Sequence, residues 1–92
     1  MADTVLIVDD DVSVQTMLYK VLRSSGLNSE TASSGEEALK LTENKTYDLI
    51  LLDVNMGGMD GFSVVEHLRR RGIKTPIIIV SGRQEDYDDA QG

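Results

Sequence analysis

Three short runs of unbroken apolar, mostly β-branched or leucine residues recur along the chain: Val5-Leu6-Ile7-Val8, Leu49-Ile50-Leu51-Leu52 and Ile77-Ile78-Ile79-Val80. A strand with one wet face alternates apolar and polar residues; a continuous run belongs to a strand covered on both faces of a parallel sheet. The intervening segments carry helical spacing instead. Val14, Met17, Leu18, Val21 and Leu22 form a stripe that predicts a helix capped by Asp11 and ended by Gly26. Ser34 with Glu37 predicts a capping box opening a second helix that buries Ala38, Leu39 and Leu41. Asp60 caps a third, with Phe62, Val65 and Leu68 inward and Arg69, Arg70, Arg71 and Gly72 closing it. The more polar residues Leu27 to Ala32 read as a short edge strand, and the acidic tail from Gln84 to Gly92 as a weakly held start of a helix. The alternation β-α-β-α-β-α-β implies an α/β fold: a doubly wound parallel sheet with right-handed crossovers and helices on both faces.

At 92 residues the chain is expected to form one domain, spanning residues 1–92. Its 9 Lys and Arg against 16 Asp and Glu give a net charge of −7, which repels nucleic-acid phosphates and anionic lipid but suits a divalent cation. Neither nucleic acid nor membrane is therefore expected as a direct partner. The lack of cysteine excludes a disulfide framework, a zinc-thiolate site and a thiol nucleophile. The N-terminus has no basic n-region and no apolar stretch approaches spanning length, so the expected compartment is the cytoplasm.

In an open α/β sheet, ligands bind beyond the carboxyl ends of the strands. The polar residues there are Asp9 and Asp10 after the first strand, Asp53 after the third and Ser81 after the fourth. If the first and third strands are neighbours, three carboxylates converge. Two carboxylates about 5 Å apart repel by roughly 3 kcal/mol at an effective dielectric of 20. Such crowding calls for a proton or a cation. Oxygen donors without His or Cys favour Mg²⁺, and a carboxylate beside it can attack phosphorus to give an acyl phosphate. Ser81 offers a hydroxyl to a phosphoryl oxygen. The constellation points to phosphoryl transfer.

At these residues the chain resembles the response-regulator receiver (CheY-like) family. The resemblance runs from Val5-Leu6-Ile7-Val8-Asp9-Asp10-Asp11, through Asp53-Val54-Asn55-Met56-Gly57-Gly58-Met59-Asp60-Gly61, to Ile78-Ile79-Val80-Ser81-Gly82. It implies that Asp53 is the phosphoacceptor, that Asp10 binds Mg²⁺ directly and Asp9 mainly through water, and that Asn55 supplies a backbone carbonyl to the metal. Ser81 would contact the phosphoryl group and move in the switch. It further implies a histidine kinase as phosphodonor, a downstream effector domain or protein, and a phosphoacceptor that assists its own phosphorylation and dephosphorylation but is not an enzyme. The implied strand order is 2-1-3-4-5. Two departures stand out: Gly57 replaces the family's usual proline, and no lysine follows Lys74. The family's lysine lies at the end of a fifth strand, so the chain reads as a receiver truncated at its C-terminal end, with order 2-1-3-4 and the fifth strand and last helix missing.

Other readings of the same residues are weaker. Asp11 and Asp60 serve as helix caps in any α/β protein. Residues Asp53 to Val64 imitate a calcium-binding EF loop, but the closing position is Val64 rather than Glu. Gly57, Gly58 and Gly61 lack dinucleotide-binding spacing, and His67 falls mid-helix beside Glu66. A haloacid-dehalogenase-type phosphatase would use Asp9 as nucleophile, Asp11 as acid/base and Ser81 as the later hydroxyl, yet leaves Asp53 to Gly61 without a role. A third possibility is a non-signalling fragment that oligomerises: an apolar fourth strand left as an edge invites homodimerisation or segment exchange.

Overall fold

A computed structural model of the chain describes residues 3–56 and 60–80. Four strands and three helices alternate: β1 (Thr4–Val8), α1 (Val12–Ser24), β2 (Asn28–Ala32), α2 (Gly35–Asn44), β3 (Leu49–Asp53), α3 (Gly61–Arg70) and β4 (Ile77–Val80). The strands form one parallel sheet in the order β2-β1-β3-β4. The central strand β1 aligns Val5 with Ser29 on one side and with Leu49 on the other. Among the described residues, the fold class and the order 2-1-3-4 are those expected. The tail from Gln84, Ser81 and the Gly57 to Met59 stretch lie outside them.

Alternation along each strand divides the apolar residues between two faces. Leu6, Val8, Ile50 and Leu52 join Ala38 and Leu39 of α2 and Val64 and Leu68 of α3 in one buried cluster, closed by Tyr47. Val5 and Ile7 are equally buried, on the face where α1 packs against β1 and β2.

The caps follow the local sequence. Asp11 Oδ1 accepts a hydrogen bond from the Ser13 N–H at 2.8 Å, and Asp60 Oδ1 one from the Ser63 N–H at 2.8 Å. Ser34 Oγ accepts from the Glu37 N–H at 3.1 Å. The Glu37 carboxylate reaches back one residue further than a simple capping box requires, accepting from the Ser33 N–H at 2.7 Å. Gly26 and Gly72 take φ of 82° and 81°, the left-handed conformation that follows a helix end most cheaply in glycine.

Three packing expectations need correction. On α1, Met17 and Val21 are exposed and the buried side chain is Gln15, because the helix turns the Gln15 edge of its stripe toward the strand ends. On α3, Phe62 is exposed and Val64 is fully buried. The cause is Gly61: a Cβ there would meet Val54 Cα at 2.7 Å, so this face of α3 lies hard against the end of β3. Val64 and Leu68 follow on the same face, and Phe62 sits about 100° away. Finally, Leu49 and Leu51 are half-buried and β4 is not doubly covered, with Ile78 51% and Ile79 43% exposed. Helix α1 lies over β1 and β2, and the described residues put no second helix beside it.

Candidate metal and phosphoryl site

The register that pairs Val8 with Leu52 brings the next residues, Asp9 and Asp53, side by side at the carboxyl edge of the sheet. Each of Asp9, Asp10 and Asp53 offers a carboxylate oxygen, and these oxygens all lie within 4.8 Å of one another. Asp9 and Asp53 are buried, whereas Asp10 is exposed. The group thus has two members fixed in the wall of the fold and one at its mouth.

Local backbone geometry aims the two buried carboxylates. Asp9 Oδ1 accepts a hydrogen bond from the Asp11 N–H at 2.9 Å, and Asp53 Oδ1 accepts one from the Asn55 N–H at 2.9 Å. The same turn, an aspartate bonding the N–H two residues on, thus closes both strands. Asp9 is anchored further: its N–H donates to the Ala32 carbonyl at 3.0 Å, tying it to the end of β2. Burial holds the Asp9 carboxyl above the usual carboxylate range. The Asp11 N–H opposes this, and the negative charges of Asp53, Asp10 and Asp11 add to it.

Oxygen atoms alone make up this donor set, which fits a hard divalent ion such as Mg²⁺. A cation among them would relieve both the repulsion and the desolvation that raise Asp9. Asp11 takes no part in the group, since its carboxylate caps α1. The phosphatase alternative, which needs Asp11 as acid/base beside Asp9, loses its second carboxylate accordingly. Ser81 follows Val80, the register partner of Asp53, but itself lies outside the described residues.

The sequence reading passed over one polar residue at the site. Gln15 is 9% exposed and hydrogen-bonds the Asp9 carbonyl. The available signal was its place at i−3 and i−7 from Leu18 and Leu22, a polar residue on the stripe that faces the sheet.

Comparison with known proteins agrees with this arrangement. The response regulator receiver domain family matches residues 5–92. The alkaline phosphatase synthesis transcriptional regulatory protein PhoP of Bacillus subtilis is 40% identical over 92 residues, covering 100% of this chain and 38% of that protein. The transcriptional regulatory protein AfsQ1 of Streptomyces coelicolor is 39% identical over 89 residues, 97% of this chain and 39% of its own length. The chain therefore spans about two fifths of these curated relatives. Among solved structures, chemotaxis response regulator CheY4 of Vibrio cholerae superposes with a TM-score of 0.85 at 33% identity, covering 100% of this chain and 78% of that one. Response regulator TrrA of Thermotoga maritima, solved in complex with Mg(2+)-BeF, gives a TM-score of 0.83 at 32% identity, over 95% of this chain and 76% of the other. With the strand order, the acidic group and the family match in agreement, the chain belongs to the response regulator receiver domain family of two-component signalling.

Proposed function

We propose that the chain is a phosphorylation switch whose acceptor is Asp53, loaded from a histidine kinase with the help of Mg²⁺. The observation that carries this reading is the placement of Asp53: buried at the end of β3, with a carboxylate oxygen within 4.8 Å of those of Asp9 and Asp10. An Asp53 oxygen attacks the phosphorus of the donor, an O–P bond forms as the P–N bond to the histidine breaks, and the imidazole leaves with a proton. Asp10 and Asp53 would hold the ion directly, Asp9 mainly through water, and Asn55 through its backbone carbonyl. When bound, Mg²⁺ supplies positive charge to the donor's phosphoryl oxygens. The Asn55 N–H keeps one Asp53 oxygen engaged, leaving the other for attack. Ser81, next in sequence after the register partner of Asp53, would donate its hydroxyl to a phosphoryl oxygen.

The relatives named as transcriptional regulatory proteins support gene control as the output, exerted through an effector domain or protein rather than through nucleic-acid contact by this acidic chain. The cytoplasm is the compartment that suits a kinase-fed switch. Among the described residues no helix is long and apolar enough to cross a membrane.

Incubation with Mg²⁺ and a small acyl phosphate, followed by intact-mass and peptide analysis, tests the assignment. One phosphoryl group should appear on Asp53, and Asp53→Asn should carry none. Labelling that persists undiminished in Asp53→Asn, or that maps to Asp9, would overturn it.

A further inference from the structure

We infer that Gln15 is a positioning residue for the acidic pocket: its side-chain amide clamps the peptide between Asp9 and Asp10 and so sets how both carboxylates present themselves to the metal. Gln15 Nε2 donates to the Asp9 carbonyl at 2.5 Å and to Ser33 Oγ at 3.1 Å. Both amide protons are therefore used, one on the metal-site backbone and one on the loop between β2 and α2. The carbonyl is the informative partner. It belongs to the planar peptide unit that joins Asp9 to Asp10, so fixing it fixes ψ of Asp9 and φ of Asp10 together. The Cα–Cβ directions of both residues follow from that plane.

Asp9 is then held at three points of its own: N–H to the Ala32 carbonyl, Oδ1 from the Asp11 N–H, and C=O from Gln15. The third tether is the one made by another residue's side chain, and thus the one a substitution can remove without altering Asp9 itself. It continues outward, because the Ser33 N–H donates to Glu37 Oε1 at 2.7 Å in the first turn of α2. A line of hydrogen bonds thus runs from the start of α2, through Ser33 and Gln15, to the Asp9–Asp10 peptide. A buried glutamine that only filled space would need partners, but not ones on this peptide.

The inference rests on the Mg²⁺-dependent reading above, and the test separates the two. Mg²⁺ affinity would be measured by amide-shift titration, and phosphorylation by acetyl phosphate as a function of Mg²⁺, for the full chain and three variants. Gln15→Met keeps length and apolar bulk but removes both donors. Gln15→Asn keeps the amide but withdraws it by one methylene, and serves if the first variant fails to fold. Asp10→Asn is the control for the site itself. Loss of a residue that orients metal ligands typically weakens binding by about 10- to 100-fold. Both Gln15 variants should fall toward the lower end of that range, and their labelling rate should return to within about twofold of wild type at saturating Mg²⁺. A merely structural role would lower the urea midpoint and leave the Mg²⁺ affinity of the folded protein unchanged. Affinity within twofold of wild type in Gln15→Met and Gln15→Asn, or a rate defect that saturating Mg²⁺ does not repair, would overturn the inference. If the wild type binds no Mg²⁺ and Asp10→Asn changes nothing, the failure belongs to the metal reading instead.

Discussion

The carboxylates of Asp9 and Asp53 stand side by side one residue beyond the Val8–Leu52 register pair, both buried and both acidic. Like charges this close and this dry destabilise the fold that brings them together. Asp53→Asn should therefore raise metal-free stability, on the order of 1 kcal/mol, while abolishing phosphoryl acceptance. Urea unfolding in chelator-treated buffer checks the first effect. A variant less stable than wild type would show that the pair is not under electrostatic strain.

The same crowding predicts that Mg²⁺ stabilises the chain. An ion that binds the folded state alone adds about 2.7 kcal/mol at a concentration a hundredfold above its Kd. Thermal unfolding with and without Mg²⁺ should show an upward shift that Asp53→Asn and Asp10→Asn reduce. An equal shift with a monovalent salt at matched ionic strength would point to general screening instead.

Gly61 sets the rotation of α3 through its approach to Val54. In Gly61→Ala the new methyl carbon would meet Val54 Cα at 2.7 Å and the Asp53 carbonyl at 3.0 Å. Since backbone rather than a flexible side chain is in the way, the end of β3 or the start of α3 must shift, at about 1–3 kcal/mol. The shift falls next to the acceptor. Denaturant midpoint and Mg²⁺ affinity should drop together; a loss of stability with intact affinity would place the adjustment in α3 alone.

Midway along the edge strand β2, Glu30 accepts hydrogen bonds from the Lys45 ammonium and from the Tyr47 hydroxyl, the latter at 2.6 Å. The Lys45 hydrogen bond, then that of Tyr47, holds the Glu30 carboxyl below its usual value of 4.5. Burial, then the bond to Glu30 and its charge, raises the Tyr47 phenol above its usual 10.0. A lowered carboxyl stabilises the fold above its ordinary pKa and loses that contribution as pH falls through the folded value. A raised phenol stabilises below its ordinary pKa and loses that contribution as pH climbs toward the folded value. Tyr47→Phe should cost about 1 kcal/mol at neutral pH. Its deficit relative to wild type should shrink above pH 10.0 and again below pH 4.5. A deficit constant from acid to alkali would assign the cost to packing instead.

Along β4, Ile78 and Ile79 present apolar surface on opposite faces of the sheet, and β3 is the strand's one neighbour among the described residues. Made by itself, the 92-residue chain should self-associate through this strand. Light scattering across a concentration series checks this: mass should rise with concentration, and Ile78→Lys should suppress the rise. A monomer at every concentration would sink the idea.

The elements themselves were written in local patterns. Unbroken apolar runs marked β1, β3 and β4; Asp11, Ser34 and Asp60 marked the helix starts; Gly26 and Gly72 marked two of the ends. Each signal acts over a few residues, through backbone hydrogen bonds or a forbidden φ, and so survives without knowledge of the rest of the chain. The acidic residues at strand ends were equally visible, because the carboxyl edge of a parallel sheet is where a ligand site forms.

Tertiary structure decided what depends on distance between segments. Helical spacing defines a stripe about 100° wide but not which edge of it meets the sheet, so Phe62 and Met17 read as core in the sequence while Val64 and Gln15 fill those roles. The close approach of Gly61 to Val54 settles one of these, and the hydrogen bond from Gln15 to the Asp9 carbonyl settles the other. That Asp9, Asp10 and Asp53 share a pocket rests on β1 pairing with β3 in one particular register. No residue near Asp9 in the sequence encodes that pairing; burying Leu6 and Val8 of β1 together with Ile50 and Leu52 of β3 beneath α2 and α3 does.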